Sequence, residues 1–543
     1  MLNQLLGMPA LFFILLVPLC MAATAVFRSE VIAIDMRKPL LWLAFAVLFI
    51  AILGHLYFAF TYLFSPSFID HIEPNTAIVA WLYANGDQIY HPLDSAERYS
   101  FLYGPLVYVA TGLLYKVFVA TTLTAKLAGV SCLVLTMVIL LIVIRRRFPE
   151  HWYPCVVALG YFSLLALFLK HHSFWLKPDP FIIVLASVGL LACLTDNKRS
   201  AWLMLGVALG CAVNAKITGA IYFFPFLAWI YERDGFRPVF FSGLTALLVA
   251  ALPFLLSETI SLPNYIAWLQ AARSHGLSKY LLVQNTVFIL FACIPVFIFL
   301  FWQRGVKTTA GWLTEHKLVV AASLVALLLI IVAASKQGSG PNHFLPFLPA
   351  LALLTASASV IVYSSNEPGG RAAYYFWAPL GAMLIVASVK AGFALYYGVL
   401  VTNGQISAER LTEEINEVAA GYPDRNLYMG YGDGTSHTTT FVRNNLAYAG
   451  YPYLIDSSAL MDFQLSGIEM PQSTIDSMVK DGSAVWLIPE GQEPFTLLNW
   501  YYRPYNHFLF NDEFRSAFNE IFKKVSSTKH YDIYVGNGEV SNH

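Results

Sequence analysis

Long apolar runs separated by short polar segments make up most of the first 400 residues. A run of about 20 apolar residues is long enough to cross the hydrocarbon core of a bilayer as a helix. The pattern therefore predicts a polytopic α-helical membrane protein with about 11–12 transmembrane helices. The predicted spans are 9–27, 40–64, 122–144, 151–169, 180–195, 200–215, 217–231, 238–257, 285–302, 317–334, 344–363 and 374–398. Several are shorter than about 18 residues, so we expect kinked helices, with a hairpin turn at residues 214–216.

The run 104–119 has two interpretations, a further span or an interfacial helix. As a span it would place the Arg145–Arg147 triplet outside, and the positive-inside rule therefore favours the interfacial helix. The inner loops are then 28–39, 145–150, 196–199, 232–237, 303–316 and 364–373, and the outer segments are 65–121, 170–179, the turn near 216, 258–284 and 335–343. We expect an integral protein of a bacterial inner membrane, with its N-terminus and residues 399–543 extracytoplasmic. No basic segment precedes the first apolar run, so we expect no cleaved signal peptide.

Composition and charge exclude several other classes of protein. Hydrophobic residues make up 57% of the 543 residues, charged residues only 12%, and the mean hydropathy is +0.60. This composition excludes a soluble or disordered chain, and the formal net charge of +0 excludes a nucleic-acid partner. Residues 1–400 hold 24 Lys and Arg against 15 Asp and Glu, whereas residues 401–543 hold 9 against 18. We therefore predict two domains, a membrane domain at 1–398 and a soluble acidic domain at 399–543.

The soluble domain has the pattern of an α/β fold. Amphipathic helices are predicted at 407–420, with Ser407 as the N-cap, and at 512–524, with acids in the first turn and lysines in the last. Short apolar runs at 426–431, 484–488 and 531–535 predict strands. The glycine-rich segment 430–434 is predicted to be a loop, because it lacks the GxGxxG spacing of a nucleotide-binding turn. All six cysteines lie in apolar runs, and no Cys/His cluster suggests a metal site.

Polar and ionisable residues collect on the predicted outer side of the membrane. They are Asp70 and Glu73 after an early span, Lys177 and Asp179 at the start of another, Lys216 and Lys336 at span ends, and Asn342 and His343 nearby. Ionisable groups at the edge of the hydrocarbon are candidates for function. Each also has a structural interpretation: the acids as helix N-terminal or solvated loop residues, and the lysines as side chains that extend to the interface. His171 and His172 fit ordinary interfacial residues as well as functional ones.

Four local patterns occur in a fixed order along residues 28–400. They are Asp70-His71-Ile72-Glu73 followed by Gly86-Asp87 and Tyr103-Gly104-Pro105-Leu106, then Lys177-Pro178-Asp179-Pro180, then Ala215-Lys216-Ile217-Thr218-Gly219, and then the segment 335–344. In this order, and with this sidedness, the chain resembles the GT-C glycosyltransferases, specifically the lipid-linked-sugar branch near protein mannosyltransferases and the aminoarabinose transferase of lipid A. Relatives often have Lys-Pro-Pro-Leu where this chain has Tyr103-Gly104-Pro105-Leu106, so the cation that binds the donor phosphate is open.

The resemblance implies an inverting transfer of a sugar from a polyprenyl-phosphate donor to a glycan, lipid or protein acceptor, next to membrane lipids. The implied roles are the following: Asp70 or Glu73 as the base; Lys216, Lys336 and His343 as phosphate ligands; Asp179, Lys177, Asn342 and Tyr103 as orienting groups. No cofactor is required by this chemistry, although Asp70, Glu73 and Asp179 would suit a divalent ion if they converged.

Two other classes of function remain open. A transporter or flippase for lipid-linked saccharides would carry charges near mid-membrane, and Lys390 is one of few such residues. A membrane-anchored binding module would use the soluble domain alone, but it would not need so many helices. In that domain, Trp486, Trp500, Tyr501 and Tyr502 are either stacking groups for a carbohydrate or acceptor, or core aromatics.

Overall fold

The structure is a computed structural model that describes residues 37–100, 103–303, 311, 313–364, 371–404, 408–500 and 507–536. Contacts group the chain into two compact units. The first unit comprises residues 1–60, 129–251 and 277–399, and the second comprises residues 61–128, 252–276 and 400–543. The predicted span 9–27, the predicted N-cap Ser407, and Tyr501 and Tyr502 lie outside the described residues.

Among the described residues, each predicted span from 40–64 to 374–398 overlaps a helix, and the structure also contains helices that were not predicted. The helices are α1 Arg37–Phe64, α2 Ile72–Ala84, α3 Pro105–Val117, α4 Thr122–Arg147, α5 Tyr153–Phe168, α6 Pro178–Cys193, α7 Lys198–Ala215, α8 Phe224–Asp234, α9 Phe236–Leu256, α10 Leu262–Ala271, α11 Lys279–Gln303, α12 Lys317–Ala334, α13 Leu348–Ser364, α14 Arg371–Gly404, α15 Ala408–Gly421, α16 Asn444–Tyr448, α17 Ser457–Leu465, α18 Gln472–Lys480 and α19 Asp512–Ile521. The interfacial candidate 104–119 is the helix α3.

Six helical segments of the described residues are long and apolar enough to cross a membrane. They are Trp42–Phe64, Thr122–Arg147, Phe236–Leu256, Lys279–Phe297, Lys317–Ala334 and Pro341–Ile361. The apolar helices α5 and α6 have only 16 residues each, which fits the expectation of short spans. In α9 the side chains of Leu247, Leu255 and Leu256 are 67%, 77% and 79% exposed, as expected for a surface that faces lipid. The protein is an integral, polytopic membrane protein.

Two of the apolar segments begin with a short 3₁₀ helix. Lys216 follows α7 in an extended conformation (φ −162°, ψ 136°), and the 3₁₀ helix Ile217–Phe223 comes next. Gly219 is needed in this turn because a Cβ atom there would overlap the carbonyl oxygen of Ala212. A second 3₁₀ helix, Pro341–Phe347, precedes α13. The break predicted at residues 214–216 is confined to Lys216, because α7 continues through Ala215.

The second unit contains a four-stranded mixed sheet. Its strands are β1 Leu427–Met429, β2 Val485–Pro489, β3 Phe522–Ser527 and β4 Tyr531–Gly536, in the order β1-β2-β4-β3. β1 pairs with β2 in parallel, and the other two pairings are antiparallel. Leu411, Ile415 and Val418 form one apolar stripe of α15 and pack on the sheet in a buried cluster. The prediction of an α/β fold for this region is confirmed, and segment 430–434 is a loop.

The prediction of one helix over 512–524 is wrong at its C-terminal end. The helix α19 ends at Ile521, and the next six residues form the edge strand β3. Lys524 is therefore not a helix-ending lysine; its Nζ lies 2.7 Å from Asp532 Oδ1 on β4. The strand was missed because its FKKVSS sequence is mostly polar. Such a sequence is typical of an exposed edge strand, where lysines discourage pairing with other chains.

The second unit is larger than the soluble domain predicted at 399–543. It also includes α2, α3 and α10, which come from the predicted outer segments 65–121 and 258–284. Arg98 forms a parallel bridge with Ile455, in which Arg98 N donates to Leu454 O at 2.7 Å and Asp456 N donates to Arg98 O at 3.0 Å. The Trp268 ring of α10 stacks on Phe463 of α17 at 4.3 Å. These contacts join the predicted outer segments to the C-terminal region.

Candidate functional site

The acidic motif of the second unit lies at the N-terminus of α2. Asp70 Oδ1 accepts a hydrogen bond from Ile72 N at 3.0 Å, and Glu73 Oε2 accepts from Ile69 N at 3.2 Å and Asp70 N at 3.1 Å. Carboxylates are favoured here because the first N–H groups of a helix have no partner within the helix. The two acids nevertheless differ in access: Glu73 is fully buried, whereas the Asp70 side chain is 21% exposed.

Glu73 is held in a closed polar cluster. The Tyr62 hydroxyl donates to Glu73 Oε1. Lys126 of α4 is also fully buried; its Nζ donates to Tyr62 O at 2.9 Å, Ser65 O at 2.7 Å and Ser67 O at 2.6 Å. Sequence reasoning missed Lys126, although a lysine near the start of an apolar run was a usable signal. The contacts indicate that Glu73 and Lys126 stabilise the turn between α1 and α2.

Asp70 has a different neighbourhood. Its Oδ2 lies 3.7 Å from His71 Nδ1. The His71 ring contacts Trp500 at 5.1 Å and His437 at 6.1 Å between ring centroids. Trp500, considered as a stacking group from the sequence, therefore contacts the acidic motif, whereas Trp486 is 1% exposed and belongs to the core.

Tyr103 precedes Gly104, the N-cap residue of α3, whose first turn contains Pro105. Its carbonyl oxygen accepts a hydrogen bond from the Tyr90 hydroxyl at 2.7 Å. Tyr103 therefore belongs to the same unit as the acidic motif, at the start of the helix that was expected to be interfacial.

In the first unit, Asp179 is in the first turn of α6 and only 8% exposed. Both of its carboxylate oxygens have partners: Oδ2 accepts from Trp175 Nε1 at 3.2 Å, and Oδ1 accepts from Asn342 Nδ2 at 3.3 Å. Lys177 is the N-cap residue of the same helix, and its Nζ lies 3.5 Å from the centre of the Trp175 ring. These contacts fix the orientation of the Asp179 carboxylate.

Lys216 and His343 meet at the two 3₁₀ helices. Lys216 Nζ lies 3.4 Å from His343 Nε2, and the Tyr222 hydroxyl donates to His343 O at 2.7 Å. His343 follows Asn342 directly, so one short segment connects Lys216 with Asp179. We call Lys216, His343, Asn342 and Asp179 the polar cluster of the first unit. Three separate chain segments supply it.

Trp175, which the sequence reasoning overlooked, connects the remaining polar groups near α6. The rings of His171 and His172 stack at 5.0 Å, and both contact the Trp175 ring, at 4.9 and 4.1 Å. Lys336 is in the same unit, where it forms an antiparallel bridge with Leu277. In the sequence, Trp175 lies between the pair His171-His172 and the Lys-Pro-Asp-Pro motif, and this order was the signal that could have predicted the arrangement.

Within the described ranges, no three His, Cys, Asp or Glu side chains form a group that could hold a metal ion. The polar cluster of the first unit instead consists of one lysine, one histidine, one amide and one carboxylate. Such a set suits recognition of a phosphate and of hydroxyl groups by hydrogen bonds.

The architecture is that of a polytopic membrane protein with a GT-C-like fold and a C-terminal domain, as the sequence motifs predicted. The fold is similar to that of ArnT from Cupriavidus metallidurans bound to undecaprenyl phosphate, with a TM-score of 0.51 and 14% identity over 94% of this chain and 100% of that chain. The apo state of ArnT gives a TM-score of 0.53 and 14% identity over 92% of this chain and 98% of that chain. No family model matches the sequence, and no curated protein matches it.

Proposed function

We propose that the protein is a membrane glycosyltransferase that moves a sugar from a polyprenyl-phosphate donor to an acceptor on the outer face of a bacterial inner membrane. The observation that carries the proposal is the polar cluster of the first unit, built where apolar helices break. Apolar helices suit a polyprenyl tail, and the cations and hydrogen-bonding groups suit its phosphate and sugar. The fold is also similar to a protein whose structure holds undecaprenyl phosphate.

In this proposal, Lys216, Lys336 and His343 bind the donor phosphate. When the bond between the anomeric carbon and the phosphate oxygen breaks, the electron pair of that bond stays on the oxygen. Cationic and hydrogen-bond donors stabilise the charge that develops there. The contact between Lys216 Nζ and His343 Nε2, at 3.4 Å, supports a shared role, because one phosphate could reach both groups.

Asp70 acts as the general base. The acceptor hydroxyl oxygen forms a bond to the anomeric carbon, and its proton passes to the Asp70 carboxylate, so that the displacement inverts the anomeric centre. Glu73 is the weaker candidate, because it is fully buried and both of its oxygens accept hydrogen bonds from the protein. Asp70 retains an exposed fraction through which an acceptor can approach.

Asp179, Lys177, Asn342 and Tyr103 orient the acceptor or the sugar. For Asp179 this role is supported by its two fixed hydrogen bonds, which leave a carboxylate of defined direction. The reaction as proposed uses no cofactor, because cationic side chains activate the leaving phosphate. The acceptor is a glycan, a lipid or a protein.

The test uses the purified full-length protein. Lipid that co-purifies is first identified by mass spectrometry; we expect a polyprenyl phosphate or its sugar conjugate. The protein is then incubated with undecaprenyl-phosphate pentoses and hexoses and with envelope glycans, lipids and proteins, with and without a chelator. Sugar transfer with release of undecaprenyl phosphate supports the proposal, whereas movement of intact lipid-linked sugar across vesicles without transfer would refute it and favour a flippase.

A further inference from the structure

A buried ion pair in the second unit joins the C-terminal region to the acidic motif. Arg443 is 1% exposed and Asp456 is 0% exposed. Arg443 Nη2 lies 2.6 Å from Asp456 Oδ2, and Nε donates to the same oxygen at 2.8 Å. Burial alone would raise the pKa of Asp456, but the guanidinium and the hydrogen bonds from Ser458 and Tyr453 hold this pKa below its ordinary value. The pair is therefore ionised at neutral pH.

The same guanidinium also binds the backbone of the motif. Arg443 Nη2 donates to the carbonyl oxygen of His71 at 2.5 Å, and Nη1 donates to Thr440 O at 3.0 Å. His71 follows Asp70 directly, so this hydrogen bond fixes the peptide next to the proposed base. A planar guanidinium can bind Asp456, Thr440 and His71 at once because its donors point in different directions.

Asp456 extends the connection on its other side. Its Oδ1 accepts from Ser458 N at 2.8 Å and caps α17, and its backbone N donates to Arg98 O at 3.0 Å. The Tyr453 hydroxyl donates to Asp456 Oδ2 at 2.5 Å and lies 3.4 Å from Asn75 Oδ1 of α2. The ion pair thus holds α2 and the acidic motif from two directions.

We propose that Arg443 is a positioning residue that fixes the direction of the Asp70 carboxylate through the His71 carbonyl. The inference rests on the proposed function, in which Asp70 is the base. An ion pair buried at this depth costs desolvation free energy, and apolar residues could fill such a site equally well. Because stability alone does not explain why an ion pair occupies this site, we assign the pair a role in orienting the reacting group.

The test compares Arg443→Lys with a matched control, Arg425→Lys. Arg425 also lies in the C-terminal region and donates to two backbone carbonyls, Ser483 O at 3.0 Å and Gly536 O at 3.2 Å, both in or near the sheet. Lysine keeps the charge but cannot form the fork of hydrogen bonds. We expect Arg443→Lys to lower kcat by about 10–100-fold, the order expected for a small misplacement of a catalytic group, with the KM for the donor within about two-fold. Arg425→Lys should change neither.

Two further readouts separate positioning from general destabilisation. In an Asp70→Asn background, Arg443→Lys should cause no further loss of kcat, because the group that it orients is already inactive. Hydrogen exchange of the amides at 69–72 should be faster in Arg443→Lys and unchanged in Arg425→Lys. Each of three results would overturn the proposal. They are a wild-type kcat in Arg443→Lys, an equal further loss of kcat when Arg443→Lys is added to Asp70→Asn, and unchanged hydrogen exchange at 69–72 in Arg443→Lys.

The exchange measurement also separates this inference from the proposed function, because it needs no turnover. If the wild-type protein transfers no sugar, the proposed glycosyltransferase function is rejected. The hydrogen-exchange rates at 69–72 would still test whether Arg443 holds the backbone at His71. If Arg443→Lys does not fold, Tyr453→Phe takes its place, since it removes only the hydroxyl that bonds to Asp456 and lies near Asn75. We then expect faster exchange at 69–72 and a lower kcat, and wild-type values for both would overturn the proposal.

Discussion

Replacement of each acid of the motif by its amide should have opposite consequences for Asp70 and Glu73. Asp70→Asn keeps the shape of the side chain, and its amide oxygen can still accept from Ile72 N, which now lies 3.0 Å from Oδ1. Asn and Asp cap helices about equally well, so the free energy of unfolding should change by less than about 1 kcal/mol. The rate of sugar transfer should fall by about 10²–10⁴-fold, the usual contribution of a general base.

Glu73→Gln should instead lower stability. The carboxylate accepts from Tyr62 on one oxygen and from Ile69 N and Asp70 N on the other. An amide has an acceptor oxygen on one side only, so at least one charge-assisted hydrogen bond is lost, at a cost of about 1.5–3 kcal/mol. The fully buried Lys126 also loses a neighbouring negative charge. The folded fraction of Glu73→Gln should retain measurable transfer.

Both variants are measured by initial rates of transfer and by thermal unfolding in detergent, with binding of undecaprenyl phosphate as the common control. Binding of the carrier should be nearly unchanged in folded Asp70→Asn, because the base acts on the acceptor proton. If Asp70→Asn turns over normally and Glu73→Gln is stable but inactive, the two roles are exchanged. Normal transfer by both variants would show that the motif is structural and would refute the reasoning.

Three further predictions concern other parts of the molecule. Lys216→Ala or Lys336→Ala should weaken binding of undecaprenyl phosphate by about 10–100-fold, since each removes a charged hydrogen bond worth about 1.5–3 kcal/mol; unchanged affinity in both would reject this role. Gln88 and Ser200 are both exposed, and each is replaced by cysteine in a cysteine-free background. In sealed cells an impermeant thiol reagent should label Gln88→Cys and not Ser200→Cys, and the reverse result would overturn the predicted orientation in the membrane. Because the folded-state pKa of Asp456 lies below its ordinary value of 3.8, the carboxylate contributes stability above about pH 4, which is lost as the pH falls through the folded-state pKa. Thermal unfolding measured between pH 7 and pH 3 should show this loss of stability in the wild type and a smaller loss in Asp456→Asn. At pH 7, Asp456→Asn should be less stable than the wild type by about 3–5 kcal/mol, because the Arg443 charge is left buried without its partner.

The fold was largely predictable from the sequence because membrane helices are recognised by local composition. The predicted span 180–195 corresponds to α6 Pro178–Cys193, and 317–334 corresponds to α12. The prediction failed where local sequence and long-range pairing disagree. In β3, Lys523 and Lys524 read as the end of a helix, and only the pairing with β4 makes them part of a sheet.

The polar residues of the site were predictable as a set, but their partners were not. Asp179 and His343 were recognisable because charged or polar groups are rare beside apolar runs. The contacts that orient them depend on Trp175 and Tyr222, whose residue types are common in core positions of such chains. Arg443 gave no signal, since one arginine in an acidic region resembles a solvated residue until its partners are known.

The hydrogen bond from Arg443 to His71 joins residues 372 positions apart. At a synthesis rate of about 5–20 residues per second, His71 is made roughly 20–75 s before the arginine that binds it. Contacts of such long sequence separation form late in folding. The nascent chain therefore passes through a stage in which the acidic motif exists without its support from Arg443. Full orientation of the motif is thereby coupled to synthesis of the chain as far as residue 443, and a chain truncated before that residue would have the acids without the residue that holds them.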